Sequence, residues 1–197
     1  MILCISIQRE TNFVVELYAQ SPLEESLPID IGSTVLIEVT PANITSLMPH
    51  KGKEKALDEA LKKAHELALP AIGRSTGKAD LRMIWTGRGQ YMLVGNKPAA
   101  RSLARSASLT DQTDGWAVMS IEGPLAANIL ARLCPLDLRA STFKTGHTAR
   151  SEVAHMMAVV TRTVDGFEIM VMRSFAHTLT HHLKQAMESV AAQSALA

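Results

Sequence analysis

His177, His181 and His182 are the side chains best suited by type to hold a metal ion. His177 and His181 stand four residues apart, the spacing that lets two imidazoles on one helix face share an ion. A site needs a third ligand, and no Asp or Glu falls on that face within a turn. The spacing therefore reads as a polar helix face, with a metal module at His177 and His181 as the sharper alternative. Gly73-Arg74-Ser75-Thr76-Gly77-Lys78-Ala79 has the glycines and lysine of a phosphate loop. However, the motif needs four residues between its glycines and a hydroxyl after the lysine, and this segment has three and Ala79. No Gly-x-Gly-x-x-Gly or Gly-x-Ser-x-Gly occurs, so neither a dinucleotide fingerprint nor a nucleophile elbow is encoded. Asp111 and Asp114 offer two carboxylates. Acid–base work needs such a pair set across a reacting bond with pKa values driven apart. Before Gly115 they read instead as turn formers, because Asx side chains bond their own backbone. Cys134, at a helix end beside Pro135, reads as packed and unreactive. The residues alone display no catalytic apparatus.

Composition sets only broad bounds. The chain has 197 residues, 47% hydrophobic and 20% charged, which suits a globular protein with a substantial core. Twenty Lys+Arg against nineteen Asp+Glu leave a net charge of +1, giving no overall field to gather nucleic acid or an anionic membrane. The aromatics are scattered and form no stacking platform for bases. No apolar run approaches the roughly 20 residues that span a bilayer. The apolar opening at residues 1–7 lacks a basic region before it and reads as a strand, not a secretory signal. Cys4 and Cys134 exclude a disulfide-stapled scaffold and suit a reducing compartment, so a cytoplasmic location is expected.

The elements that must position these groups follow from periodicity. Residues 1–33 read as an N-terminal extension with short strands at 2–7 and 13–17, broken at Pro22 and Pro28. Residues 34–39 are β-branched and predict a strand, and residues 41–52 a loop. Leu57, Ala60, Leu61, Ala64, Leu67 and Ala68 make one apolar stripe, predicting a helix over 53–69 that ends at Pro70. Asp58–Lys62 and Glu59–Lys63 are spaced to pair on its wet side. A loop over 71–78, strands at 81–86 and 90–94 around Gly87-Arg88-Gly89, and a helix at 98–105 complete the first half, 34–105. The second half, 106–197, repeats the grammar. It has strands at 108–111 and 116–121, a helix opened by Gly123-Pro124, one long strand over 152–163, a turn at Asp165-Gly166 and a strand at 167–172. A last helix over 174–192 turns Phe175, Leu179, Leu183, Ala186, Met187 and Val190 inward. Met156, Met157, Met170 and Met172 read most simply as core filler, though Met also serves at adaptable interfaces. The expected fold is α+β, one compact domain of two pseudo-repeated β-α-β-β-α halves with antiparallel sheets.

Residues 109–118, Leu-Thr-Asp-Gln-Thr-Asp-Gly-Trp-Ala-Val, together with the block from Glu122 to Arg139, resemble the gamma subunit of heterotetrameric sarcosine oxidase. The segments 143–151 and 173–176, with Leu179 and Leu183, extend the likeness in order. Ser46-Leu47-Met48-Pro49-His50-Lys51-Gly52 is similar to an upstream segment of the same family. The likeness is dense over 109–185, patchy over 40–108 and absent before. It implies a fold related to the folate-binding domain of glycine-cleavage aminomethyltransferases, although a Lys-Gly-Cys-Tyr block of related repair proteins is missing. It implies a noncatalytic subunit of a complex that oxidises sarcosine with O2 to glycine and H2O2, passing the one-carbon unit to tetrahydrofolate. The resemblance puts no cofactor in this chain. FAD, FMN, NAD and tetrahydrofolate fall to the larger subunits and zinc to the smallest. Partners are then the alpha, beta and delta subunits, chiefly the folate-binding alpha subunit. The expected interface is Ser46, Leu47, Met48, Pro49 and Lys51 with Asp111, Asp114 and Trp116. A stand-alone folate-binding aminomethyltransferase-like enzyme is the other reading.

Overall fold

Alternation along the strands decides the layers. Between Gly166 and Met172, the side chains of Phe167, Ile169 and Val171 enter one apolar cluster, and that of Met170 enters another on the opposite face. The computed structural model describes residues 18–78 and 80–196, so the strands expected at 2–7 and 13–17 lie outside the described residues. In chain order the elements are β1 (Ile29–Ile31), β2 (Thr34–Val39), β3 (Asn43–Pro49), α1 (Glu54–His65), β4 (Ser75–Lys78), β5 (Leu81–Gly87), β6 (Gln90–Gly95), β7 (Ala107–Asp111), β8 (Trp116–Glu122), α2 (Ala126–Leu130), β9 (Thr148–Val153), β10 (Met156–Arg162), β11 (Gly166–Met172) and α3 (Ala176–Ser194). All ladders are antiparallel, and the fold is α+β as the sequence predicts.

Two sheets form, one ordered β4-β5-β6-β3-β7 and the other β1-β2-β8-β11-β10-β9. Their inner faces meet through Ile44, Ile84, Met92 and Val94 from the first and Val118, Val159 and Met170 from the second. Helix α1 covers the outer face of the first sheet, with Leu57 and Leu61 packed on Leu47, Met83 and Leu93. Helices α2 and α3 cover the second, where Leu179, Leu183 and Met187 meet Phe167, Ile169 and Val171. Each fully buried Leu or Phe in these layers contributes about 1.5–3 kcal/mol. A backbone bridge between Arg74 and His147 joins the sheets just before β4 and β9, with Ser75 N donating to Gly146 O and Thr148 N to Gly73 O.

The repeat that forms is β-α-β-β-β, not the expected β-α-β-β-α: the strand at Thr34–Val39, expected to open the first half, joins the other sheet, and the helix expected to close that half is a 3-10 turn. The run β3-α1-β4-β5-β6 orders its strands β4-β5-β6-β3, and β8-α2-β9-β10-β11 orders its strands β9-β10-β11-β8. The two units then exchange strands across residue 105. β7 closes onto β3 of the first sheet, while β1 and β2, from the chain's start, close onto β8 of the second. Leu23 is fully buried in the second core, so the described part of the 1–33 extension is built into the molecule rather than appended to it.

Several local expectations are corrected. Residues 41–52 are not a loop: Asn43–Pro49 is an internal strand that pairs on both sides, and Pro49 is tolerated as its last residue. Residues 71–78 hold edge strand β4. The helix expected over 53–69 stops at His65, because Glu66 takes a left-handed conformation (φ 57°) and Asp58 Oδ1 accepts Leu69 N–H at 2.8 Å. Residues 101–105 are one 3-10 turn. The long strand over 152–163 is a hairpin, because Ala154 and His155 both adopt positive φ (49° and 66°) between paired Val153 and Met156. Such a turn favours Asn-Gly, so nothing in the sequence announces it. Phe175 faces outward, 44% exposed.

Candidate functional site

The two segments expected at an interface are neighbours, because β3 and β7 pair with Thr45 opposite Asp111, Ser46 opposite Thr110 and Met48 opposite Ser108. Their side chains divide between two faces. Leu47 points to the helix layer and is fully buried, so it is not available to a partner as the sequence reading expected. Met48 points the other way and is 45% exposed. Ser46 and Pro49 are half-buried, and Lys51 is exposed in the turn before α1.

Asp111 is a turn former. Its Oδ1 accepts the Thr113 N–H at 2.9 Å and the Thr113 hydroxyl at 2.7 Å, and Thr113 Oγ1 in turn accepts Ile44 N–H at 3.0 Å. The Thr113 backbone and hydroxyl bonds hold its carboxyl below the usual carboxylate range. A carboxylate so committed suits a turn and not proton transfer. Asp114 is exposed and Trp116 half-buried. Both line a cleft of about 260 Å³ together with Glu38, Ile44, Val118 and Arg173.

Trp116 opens a row the sequence reading missed. It stands directly opposite Met172 on β11, and the β10–β11 register continued by one residue brings Met157 level with Met172. The next row inward, Val118–Met170–Val159, belongs to the buried contact between the sheets. The apolar layer thus runs out past the sandwich as an exposed margin, with Met172 at 50% and Met157 at 46% exposure and Phe175 following in the chain. Sequence supplied part of a signal: Met156 and Met157 alternate faces on β10, whereas Met170 and Met172 share a face of β11 and differ because Met172 lies at the strand's end. Met156 and Met170 are buried and the other two are not.

The remaining candidates separate. His177 Nδ1 lies 3.3 Å from Ser26 Oγ, and the His181 and His182 rings meet edge-on at 5.9 Å. Among the described residues no three metal-ligating side chains come together. The backbone of the glycine segment at 73–78 is spent on the β4–β5 ladder and the bridge to Gly146 and Thr148, so it forms no phosphate cradle. Cys134 is buried, which pushes its thiol up. Between the sheets, Arg82 on β5 donates to the buried carboxylate of Glu168 on β11. Burial raises the Glu168 pKa, and Arg82 opposes that rise.

The model of the GCVT N-terminal domain matches residues 78–195, more than half of the chain. The chain belongs to the GCVT N-terminal domain family. The matched range of this GCVT-domain chain runs from the end of β4 through α3. Among its relatives, sarcosine oxidase subunit gamma of Corynebacterium sp. (strain U-96) is 27% identical over 143 residues, covering 68% of this chain and 70% of that protein. An aminomethyltransferase of Saccharopolyspora erythraea is 34% identical over 103 residues, covering 46% of this chain and only 28% of that enzyme. A chain in the structure of heterotetrameric sarcosine oxidase from Corynebacterium sp. U-96 in complex with pyrrole 2-carboxylate superposes with a TM-score of 0.74 at 22% identity, covering 88% of this chain and 96% of that one. That last likeness establishes the fold.

Proposed function

We propose that this chain is the gamma subunit of a heterotetrameric sarcosine oxidase and carries no catalytic residue of its own. The complex demethylates sarcosine to glycine with O2, yielding H2O2 and 5,10-methylenetetrahydrofolate. FAD, FMN, NAD, tetrahydrofolate and zinc belong to its alpha, beta and delta companions. The observation that carries this reading is the likeness to a gamma subunit along 70% of that protein's length. The exposed margin of Trp116, Met172 and Met157 is the surface that such a role requires, because contiguous exposed apolar side chains mark interaction sites. Met48 and Lys51 extend the candidate interface along the first sheet.

Co-expression with the other three subunits tests the reading. Stable co-purification supports it, and a chain that never associates overturns it. A second reading, a folate-binding aminomethyltransferase-like enzyme, draws on the 34% identity to such an enzyme. Tight, saturable binding of tetrahydrofolate by the isolated chain favours that second reading, and its absence favours the subunit.

A further inference from the structure

We propose that the cleft beside Trp116 binds a small α-amino acid as its zwitterion. The cleft lies where the chain leaving β2 and the turn before β8 come together, and its lining brings three chemistries to one space. Arg173 supplies a guanidinium. One of its nitrogens donates to Gln20 O, and among the described residues no carboxylate pairs with it. Asp114 supplies an exposed carboxylate that has no ion-pair partner among the described residues. Glu38 adds a second carboxylate, with Oε2 accepting the Ser21 hydroxyl. The half-buried Trp116 ring, with Ile44 and Val118, supplies the apolar wall.

Opposite charges lining one cleft without pairing to each other select the ligand. A simple carboxylate would face Asp114 and Glu38, and a simple amine would face Arg173. An α-amino acid meets both demands, its carboxylate accepting from the planar guanidinium fork and its ammonium turned to Asp114 and Glu38. An ammonium or an alkyl group near the indole face gains further from the ring. At roughly 30 Å³ for each water-sized unit, the 260 Å³ volume admits a ligand of about eight or nine non-hydrogen atoms. Glycine and proline fit that limit, and amino acids as large as lysine, phenylalanine or arginine exceed it.

Trp116 also opens the margin assigned above to a partner, and because this test uses the full chain alone its outcome is read separately from that of co-expression. Glycine and proline are titrated against it by calorimetry, with the Trp116 indole N–H followed by NMR in a Trp85→Phe background that leaves one indole. Acetate and methylammonium at equal concentration are the controls. The expected result is saturable binding of the amino acids, a moving indole signal, and little response to either control. Arg173→Gln and Asp114→Asn are each expected to weaken binding by roughly tenfold while leaving the circular dichroism spectrum unchanged. Asp114 is exposed, so its variant remains informative if Arg173→Gln misfolds. Failure of both amino acids to saturate overturns the proposal. An equal response to acetate, or unchanged affinity in the folded variants, does the same.

Discussion

The Arg82 guanidinium and the Glu168 carboxylate, from the inner faces of different sheets, form an ion pair in the layer where the sheets meet. Both ends are largely sequestered, with side-chain exposures of 14% and 5%. Removing one partner leaves an uncompensated buried charge. Arg82→Met should therefore cost about 3–5 kcal/mol in urea unfolding, and adding Glu168→Leu should recover most of that loss. A single variant as stable as the parent would show that the pair contributes nothing.

The same pair predicts a pH signature. Burial raises the folded pKa of Glu168 above the ordinary 4.5, and Arg82 holds the rise back. A raised pKa means that the protonated acid favours the folded state. That contribution is complete below the unfolded value and fades as pH climbs through the folded one. Arg82→Met moves the folded value higher still, so the deficit of the variant should shrink as pH falls toward about 4.5. Unfolding midpoints of parent and variant across that range give the answer.

Replacing His155 by glycine should stabilise the protein. His155 is exposed and its φ of 66° is one that L side chains tolerate poorly. Relief of about 1 kcal/mol corresponds to about 2–4 °C in thermal midpoint for a chain of this size. A lowered midpoint would mean that the imidazole makes a contact worth more than the strain.

Leu47 and Met48 should behave as opposites. Leu47→Ala empties a fully buried site against α1 and should cost about 2–5 kcal/mol. Met48→Ala should fall within about 0.5 kcal/mol of the parent, as surface changes do. Equal effects would contradict the register of β3.

At the apolar margin, Met172→Gln with Met157→Gln should leave the isolated chain's unfolding midpoint nearly unchanged and sharply reduce co-purification with the other subunits. Both side chains are about half exposed, so their loss costs little in the core. Undiminished association would move the interface elsewhere.

How much of this was legible follows from the residues. The amphipathic stripes of α1 and α3, the β-branched run of β2 and the apolar runs of β8 and β11 are strong signals, and those elements form where expected, with α1 ending early at His65 and Phe175 turned outward. Where local signals misled, a neighbour had overridden them. Pro41, Asn43 and Pro49 look like loop residues, yet ladders on both sides make a strand of what lies between. Ala154-His155 lacks turn chemistry, and the pairing of β9 with β10 imposes the turn. Met157 and Met172 are identical in type to their buried neighbours, and only the register separates them. The charged cleft escaped because Glu38, Asp114 and Arg173 lie far apart in sequence and meet through the fold.

Exchange of strands between the two sheets also governs how the polypeptide can be made. Thr34–Val39 leaves the ribosome before its ladder partner, Trp116–Glu122, which is synthesised some 80 residues later. Until then β2 has an unsatisfied edge on the side that β8 will fill, the kind of nascent surface that chaperones hold. A backbone cut at 105 consequently cannot release two self-sufficient pieces. Each fragment lacks a strand retained by the other, and native structure should return only when the two are mixed.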